Sequence, residues 1–189
     1  MSSADFSLQE IAVLGSARIE PPDPRWETAH RLGGLLAEHG FAVVTGGYGG
    51  LMSAVGQGAH ERGGRVIGLP MRHWDSLEPN RWNDELRWSD GYATRLGHLL
   101  RCAGVVALPG GVGTLSEMAV IWAAAQTEPN PPSIVLLGDG WPPLIKAVGD
   151  QLVVGLQDLN LLQLVSSPDE ALQALKVPAD RGGRPGPRG

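Results

Sequence analysis

Residues 107–117, ALPGGVGTLSE, combine residue types that could hold a phosphorylated ligand and act on it. Three glycines follow Pro109 within four positions, and Glu117 stands three positions after Thr114. Glycines at a turn from strand to helix let the backbone approach a bound group closely and leave the first helical N–H groups free to bind an anion. Because residues three and four apart share a helix face, Glu117 would lie on the same side as Gly113 and Thr114. A carboxylate there could reach the ribose of a nucleotide whose phosphate is bound at the turn.

A second interpretation of the same residues is purely structural. Thr114-Leu115-Ser116-Glu117 has the spacing of a capping box, in which Thr114 caps the N3 amide and Glu117 reaches back to the Thr114 N–H. A helix that needs only a cap does not need Pro-Gly-Gly-x-Gly in front of it. This surplus of glycine favours a ligand.

The elements that would position these residues follow an alternating pattern. Short runs rich in Val, Ile and Leu alternate with segments of helical periodicity, which predicts an α/β fold with a Rossmann-like, doubly wound parallel sheet. The predicted strands are residues 11–14, 42–45, 66–69, 105–108 and 134–137. The predicted helices are residues 25–39, 51–62, 94–101, 114–126 and 168–175.

Two further strand ends run into small residues. Gly15-Ser16 follows the first strand, and Gly46-Gly47-Tyr48-Gly49-Gly50 follows the second. The carboxyl ends of parallel strands lie along one edge of a sheet, where ligands bind. The chain lacks both the P-loop motif and a G-x-G-x-x-G after its first strand, so a mononucleotide fits these turns better than NAD. Tight turning without a ligand is the alternative for any one of them.

Residues 72–88, RHWDSLEPNRWNDELRW, break the alternation. They hold three of the six tryptophans among charged and turn-forming residues, without a sustained helical or strand pattern. Such long connections are often lids or binding loops. The alternative is that the tryptophans pack the segment against the core or against a second subunit.

Length and composition limit the classes of protein. The 189 residues suffice for one globular core, and we expect one nucleotide-binding domain over residues 1–178 and a disordered Gly/Pro/Arg tail over residues 179–189. A net charge of −5 argues against binding to nucleic acid or to an anionic membrane, because both partners are also negatively charged. No apolar run approaches the roughly 18 residues of a membrane span.

The single cysteine, Cys102, and the absence of a signal-peptide pattern predict a cytoplasmic protein. The five histidines are scattered, so no metal is implied.

The segment PGGVGTLSE resembles the PGGxGTxxE motif of the LOG family, the cytokinin-activating phosphoribohydrolases often mislabelled as lysine decarboxylases, at every fixed position. Gly15-Ser16 is similar to that family's N-terminal GS turn, and residues 45–59, TGGYGGLMSAVGQGA, are similar to its GGG-x-x-GLM-x-x-x-A segment. Trp122 falls where the family helix carries a tryptophan. The resemblance implies a Rossmann-like fold, a homodimer or larger assembly, and no cofactor. It also implies hydrolysis of the N-glycosidic bond of a nucleoside 5′-monophosphate, AMP or a cytokinin riboside monophosphate, to a free base and ribose 5-phosphate.

The resemblance also implies roles for particular residues. The catalytic glutamate of the motif corresponds to Glu117, and the catalytic arginine of the preceding helix corresponds to Arg95 if one residue is deleted near Gly104. Without that deletion Thr94 would take the arginine's place, and Arg101 is the second choice. The residues expected to contact the substrate or its phosphate are Gly15, Ser16, Gly46, Gly47, Met52, Pro109, Gly110, Gly111, Gly113 and Thr114.

Other functions of the same scaffold are alternatives. Leu96 replaces the lysine that follows the arginine in typical members, and GTLSEMA resembles the non-hydrolytic branch. Both features favour a nucleotide-binding or carrier protein similar to molybdenum-cofactor carriers. A single-strand DNA binder is disfavoured by the acidic charge. Lysine decarboxylation with pyridoxal phosphate needs a Schiff-base lysine, and neither Lys146 nor Lys176 suits that role.

The oligomeric state also has two interpretations. The fourth predicted helix carries Met118, Ile121 and Trp122. These apolar residues could be buried in the chain's own core or in a dimer interface.

Overall fold

A parallel sheet of seven strands runs through the computed structural model, which describes residues 9–74 and 77–176. The strands are β1 (Glu10–Leu14), β2 (Ala42–Thr45), β3 (Val66–Gly68), β4 (Glu85–Leu86), β5 (Gly104–Ala107), β6 (Ser133–Leu137) and β7 (Leu162–Val165). Their order across the sheet is β4-β3-β2-β1-β5-β6-β7. The tail predicted over residues 179–189 lies outside the described residues.

Helices cover both faces of this sheet. They are α1 (Pro24–Glu38), α2 (Leu51–Glu61), α3 (Tyr92–Leu100), α4 (Val112–Ala125), α5 (Trp141–Gln151), α6 (Leu156–Leu159) and α7 (Pro168–Lys176). Ala12 and Leu14 of β1 pack in one buried layer with residues of α3, α4 and α5, whereas Ile11 and Val13 pack in the other with α1, α2 and α7. Alternate residues of one strand thus enter opposite layers, which confirms the predicted doubly wound α/β fold.

The strand order of the sheet switches direction between β1 and β5. Strands β2 to β4 follow one another on one side of β1, and strands β5 to β7 follow one another on its other side. Strands β1 and β5 pair in parallel, with Leu14 in register with Ala107. In an open α/β sheet the crevice beyond the carboxyl ends of such a strand pair is the usual place for a ligand. The turns after β1 and β5 are those that begin at Gly15 and Pro109.

Helices α1 and α2 approach each other to backbone contact. A Cβ atom on Gly33 would overlap the carbonyl oxygen of Val55, and one on Gly58 would overlap the carbonyl oxygen of His30. Only glycine allows this approach. The close packing of α1 and α2 fixes these two helices relative to each other, and the Leu51 amide, which donates to the Ser16 carbonyl at 2.9 Å, holds the start of α2 next to the turn after β1.

Several elements differ from the predicted pattern. The edge strands β4 and β7 were not expected, and β4 lies within the segment of residues 72–88. Helix α3 begins at Tyr92 and α4 at Val112, in each case two residues earlier than predicted. On α4, Met118 and Ile121 are buried in the chain's own core, and the Trp122 indole donates to the Asp158 carbonyl across 2.8 Å. Within residues 9–74 and 77–176, no helix is both long and apolar enough to cross a bilayer.

Candidate functional site

The turn after β1 contacts both other glycine-rich turns. The Ser16 amide donates to the Pro109 carbonyl across 3.3 Å, and the Ser16 carbonyl accepts from the Leu51 amide at 2.9 Å. A Cβ on Gly15 would lie 3.1 Å from the Leu51 Cβ and 3.5 Å from the Leu108 Cβ. The three predicted turns therefore meet at one edge of the sheet.

The first amides of helix α4 have no acceptor within the helix, and we call this helix start, residues 111–114, the opening of α4. Gly111 is its N-cap, without a capping side chain, and the Gly111 carbonyl accepts the first helical bond from the Leu115 amide at 3.0 Å. The amides of Val112, Gly113 and Thr114 precede that bond. Unpaired amides at a helix N-terminus are a binding site for an anion.

The glycines around this opening differ in how much space a side chain would have at each position. A Cβ on Gly110 would overlap the Thr114 side chain, so Gly110 is required for packing. Neither Gly111 nor Gly113 has a positive φ, and a Cβ atom on either would meet no described atom within 4 Å, so open space lies in front of both. Packing within the described residues does not explain glycine at these two positions. A ligand that approaches the backbone would explain it.

Arg95 and Glu117 form a buried ion pair beside this opening. The Arg95 Nε donates to the Glu117 Oε1 across 2.7 Å, and each residue is 5% exposed. Arg95 lies in the first turn of α3, and Glu117 lies one turn into α4. The Arg95 Nη1 also donates to the Leu69 carbonyl at 2.6 Å. Each charge is thus compensated by a partner, as burial requires.

The capping box is not formed. Glu117 accepts its hydrogen bond from Arg95, and the N-cap of α4 is Gly111 rather than Thr114. Since α4 begins earlier than predicted, Thr114 is already inside the helix, where it is buried. Among the described residues, neither the Glu117 Oε2 nor the Arg95 Nη2 makes a hydrogen bond.

The turn after β2 borders the ion pair. A Cβ on Gly46 would lie 2.6 Å from the Met52 Sδ and 2.7 Å from the Arg95 Nη2, so Gly46 makes room for both side chains. Gly47 has a φ of 82°, and its carbonyl accepts from the Asn80 amide at 2.7 Å and from the Asn83 side chain at 3.0 Å. The sequence did not predict a role for these two asparagines.

The start of α2 is already occupied by the protein's own carboxylate. The Glu20 Oε1 accepts from the Gly50 amide at 3.0 Å, and Gly50 is the N-cap of α2. An anion at this helix start would have to displace Glu20. The opening at α4 is therefore the better anion site of the two.

The other candidates for the arginine do not reach Glu117. Thr94 is exposed, and Arg101 is exposed after the end of α3, where it contacts the His98 Nδ1 at 2.9 Å. Leu96, at the position of the family lysine, is half-buried and packs against the core. Of the residues considered from the sequence, the structure brings Arg95 to Glu117.

Further residues near the site were missed from the sequence. The Tyr92 hydroxyl lies 2.6 Å from the Ser116 Oγ, which donates to the Gly113 carbonyl at 2.8 Å. The Trp74 ring lies 6.0 Å from the Arg95 Cζ and 5.7 Å from the Tyr48 ring. The tryptophan-rich composition of residues 72–88 was the only signal for Trp74, and no pattern singled out Tyr92. Within residues 9–74 and 77–176, no cluster of three or more His, Cys, Asp and Glu could hold a metal ion.

Comparisons with known proteins agree with this fold and motif. The chain is 29% identical over 158 residues to the cytokinin riboside 5′-monophosphate phosphoribohydrolase of Mycobacterium marinum, covering 78% of this chain and 83% of the relative. It is 31% identical over 161 residues to the corresponding enzyme LOG of Oryza sativa subsp. japonica, covering 80% of this chain and 65% of the relative.

Among solved structures, the molybdenum cofactor carrier protein MCP of Chlamydomonas reinhardtii superposes with a TM-score of 0.73 at 25% identity. The superposition covers 89% of this chain and 96% of the carrier. The comparisons thus include both phosphoribohydrolases and a cofactor carrier, and they confirm the resemblance to LOG proteins. Residues 8–138 match the SLOG cluster4 family, and the chain belongs to that family.

Proposed function

We propose that this protein hydrolyses the N-glycosidic bond of a nucleoside 5′-monophosphate, AMP or a cytokinin riboside monophosphate, to a free base and ribose 5-phosphate. The observation that carries the proposal is the buried Arg95–Glu117 ion pair, 2.7 Å long, beside the open amides of α4. The amides suit the phosphate, and the carboxylate suits the sugar. The two phosphoribohydrolase relatives support the same reaction.

The phosphate is proposed to bind at the N-terminus of α4. The amides of Val112, Gly113 and Thr114 would donate to its oxygens, and the helix dipole adds a favourable positive potential. Gly111 and Gly113 leave the space that close approach requires. The ribose then extends toward Glu117, which lies three residues after Thr114 on the same helix face.

Glu117 would stabilise the transition state. Breaking the bond between the anomeric carbon and the base nitrogen builds positive charge on the ribose, and a nearby carboxylate stabilises that charge. Water completes the reaction, because its oxygen adds to the anomeric carbon and one of its protons goes to the base. The Glu117 Oε2, which makes no hydrogen bond in the described part of the chain, is the oxygen suited to the ribose or to this water.

Arg95 would position these groups. Its forked donors can hold the Glu117 carboxylate and a ligand oxygen at the same time, whereas a guanidinium is a poor proton donor. The hydrogen bond to the Leu69 carbonyl fixes the fork relative to β3. We assign Arg95 an orienting role.

A carrier function is the second candidate. The fold similarity to the Chlamydomonas carrier and the half-buried Leu96 at the lysine position favour it. A carrier would use the same amides to bind a phosphorylated ligand and leave the ligand intact. We further propose a homodimer or larger assembly, which the LOG resemblance supports. We propose a cytoplasmic location on separate grounds, because the sequence has a single cysteine.

Base release separates the two candidates. Purified protein is incubated with AMP and with a cytokinin riboside 5′-monophosphate, and the free base is quantified by chromatography. Hydrolysis predicts equimolar base and ribose 5-phosphate from the wild type and at least about 100-fold less from Glu117→Gln. Glu27→Gln, which changes an exposed carboxylate of α1, is the matched control and should keep full activity. Tight binding of AMP without base release would support the carrier instead.

A further inference from the structure

We propose that Trp74 is the platform on which the base of the bound nucleotide stacks. The inference adds to the proposed substrate the residue that contacts its base, so that the site would bind a nucleoside 5′-monophosphate more tightly than a sugar phosphate alone. The inference rests on the proposed function, because it takes the ribose to lie beside Glu117.

The position of Trp74 is fixed by its neighbours. Its amide donates to the Met71 carbonyl at 3.3 Å, and its carbonyl accepts from the Leu77 amide at 2.9 Å. The indole contacts the ring of Tyr48 at 5.7 Å with an angle of 30° between the planes. Tyr48 is buried, and its hydroxyl accepts from the Met71 amide at 2.8 Å. An aromatic ring held in this way is preorganised for a ligand.

Trp74 also lies next to the ion pair. The Arg95 Cζ is 6.0 Å from the centre of the indole, and the same guanidinium holds Glu117. The base of a nucleotide is bonded directly to the anomeric carbon. A ribose whose anomeric carbon faces Glu117 therefore brings its base close to Trp74.

The indole keeps surface available for that contact. Trp74 is 40% exposed, whereas Trp141, which serves the core, is 5% exposed. Exposure alone does not distinguish Trp74, since Trp88 is also 40% exposed and has the Arg72 Cζ at 6.0 Å from its ring. The two tryptophans differ in the arginine beside them. Arg72, next to Trp88, pairs with the exposed Asp90, whereas Arg95, next to Trp74, pairs with the buried Glu117. Trp88 is therefore a matched control.

Stacking on a tryptophan face favours any aromatic base and does nothing for a free sugar phosphate. Loss of such a platform should weaken binding of the nucleotide by about 5- to 100-fold. Binding of ribose 5-phosphate should change less than about twofold. This split between two ligands separates a stacking residue from one that only supports the site.

Calorimetric titration measures the affinity of each variant for a nucleotide and for ribose 5-phosphate. Ligands that the protein cannot hydrolyse keep the measurement free of interference from catalysis. The ligands are formycin 5′-monophosphate, an AMP analogue whose carbon–carbon glycosidic bond cannot be hydrolysed, and ribose 5-phosphate. The proteins are the wild type, Trp74→Ala, Trp74→Leu, Trp74→Phe and Trp88→Ala. We expect Trp74→Ala and Trp74→Leu to lose affinity for the analogue alone, Trp74→Phe to keep most of it, and Trp88→Ala to match the wild type. If Trp74→Ala does not fold, the comparison of Trp74→Leu with Trp74→Phe decides.

Equal losses for both ligands, or unchanged affinities in the Trp74 variants, would overturn the inference. Base release from AMP by the wild type is measured in parallel. Release together with unchanged affinities refutes the platform and leaves the proposed hydrolysis standing. The selective loss without base release supports the platform and refutes the hydrolysis. A wild type that binds neither ligand refutes both.

Discussion

The guanidinium of Arg95 and the carboxylate of Glu117 meet across 2.7 Å in the interior of the protein, although the two residues lie 22 positions apart in the sequence. The pair joins the first turn of α3 to the first turns of α4. Through the Leu69 carbonyl it also reaches the chain just after β3. One guanidinium thus connects three segments around the proposed ligand site.

Removal of one member of this pair should destabilise the fold. Arg95→Met leaves the Glu117 carboxylate buried without its partner, and we expect a loss of about 3–5 kcal/mol in the free energy of unfolding. The double variant Arg95→Met/Glu117→Leu removes both charges and should recover part of that loss. Urea denaturation monitored by circular dichroism measures the free energy of unfolding of the single and the double variant. A single variant as stable as the wild type would show that the pair is not buried as described.

Two glycines of the same turn should respond in opposite ways to alanine. Gly110→Ala places a methyl group into the Thr114 side chain and should cost about 1–3 kcal/mol of stability. Gly113→Ala places it in open space inside α4 and should raise stability by about 0.5–1 kcal/mol. The same methyl group should weaken binding of ribose 5-phosphate, because it stands where the phosphate would approach. Thermal melts and calorimetry give the two quantities, and equal effects of both substitutions on binding and stability would contradict this assignment.

The strands that the sequence predicted correctly are those in the middle of the sheet. Runs of three or four Val, Ile, Leu and Ala residues mark β1, β2, β5 and β6, because both faces of these strands are buried. The edge strands lack that signal. β4 has two residues within a charged, tryptophan-rich segment, and β7 (Leu162–Val165) is only partly buried.

For the site, the local motif and the long-range contacts differ in how well they could be predicted. Glu117 and the glycines before α4 follow from one continuous motif. Arg95 follows only from the family resemblance with a one-residue deletion, since helical spacing alone does not choose between Thr94, Arg95 and Arg101. Trp74 reaches the site through an irregular connection, whose path depends on contacts distant in sequence. The catalytic roles of Glu117 and Arg95 stay predictions.

The contact between α1 and α2 should depend on Gly33. Gly33→Ala directs a methyl group into the Val55 carbonyl, so the helices must separate, and we expect a loss of about 1–3 kcal/mol or more. Gly34→Ala is the matched control, because the atom closest to its Cβ would be 3.4 Å away. A thermal melt of the two variants makes the comparison. Gly34→Ala as destabilising as Gly33→Ala would refute the close approach.

Cys102 should be nearly inert in the folded protein. Burial raises the pKa of its thiol to about 12, and the nearby Glu10 carboxylate acts in the same direction. Because the thiolate is the reactive form, we expect labelling by Ellman's reagent at pH 8 to be at least about 100-fold slower than in denatured protein. The denatured sample should release one thiol per chain, since Cys102 is the only cysteine. Rapid labelling of the native protein would contradict the burial.

The most direct measurement is a crystal structure of the protein with ribose 5-phosphate bound. We predict that the phosphate oxygens accept hydrogen bonds from the amides of Val112, Gly113 and Thr114. We also predict that the anomeric carbon faces the Glu117 carboxylate while Arg95 retains its contact with that group. A phosphate bound away from the start of α4, or an anomeric carbon directed away from Glu117, would contradict the proposed function.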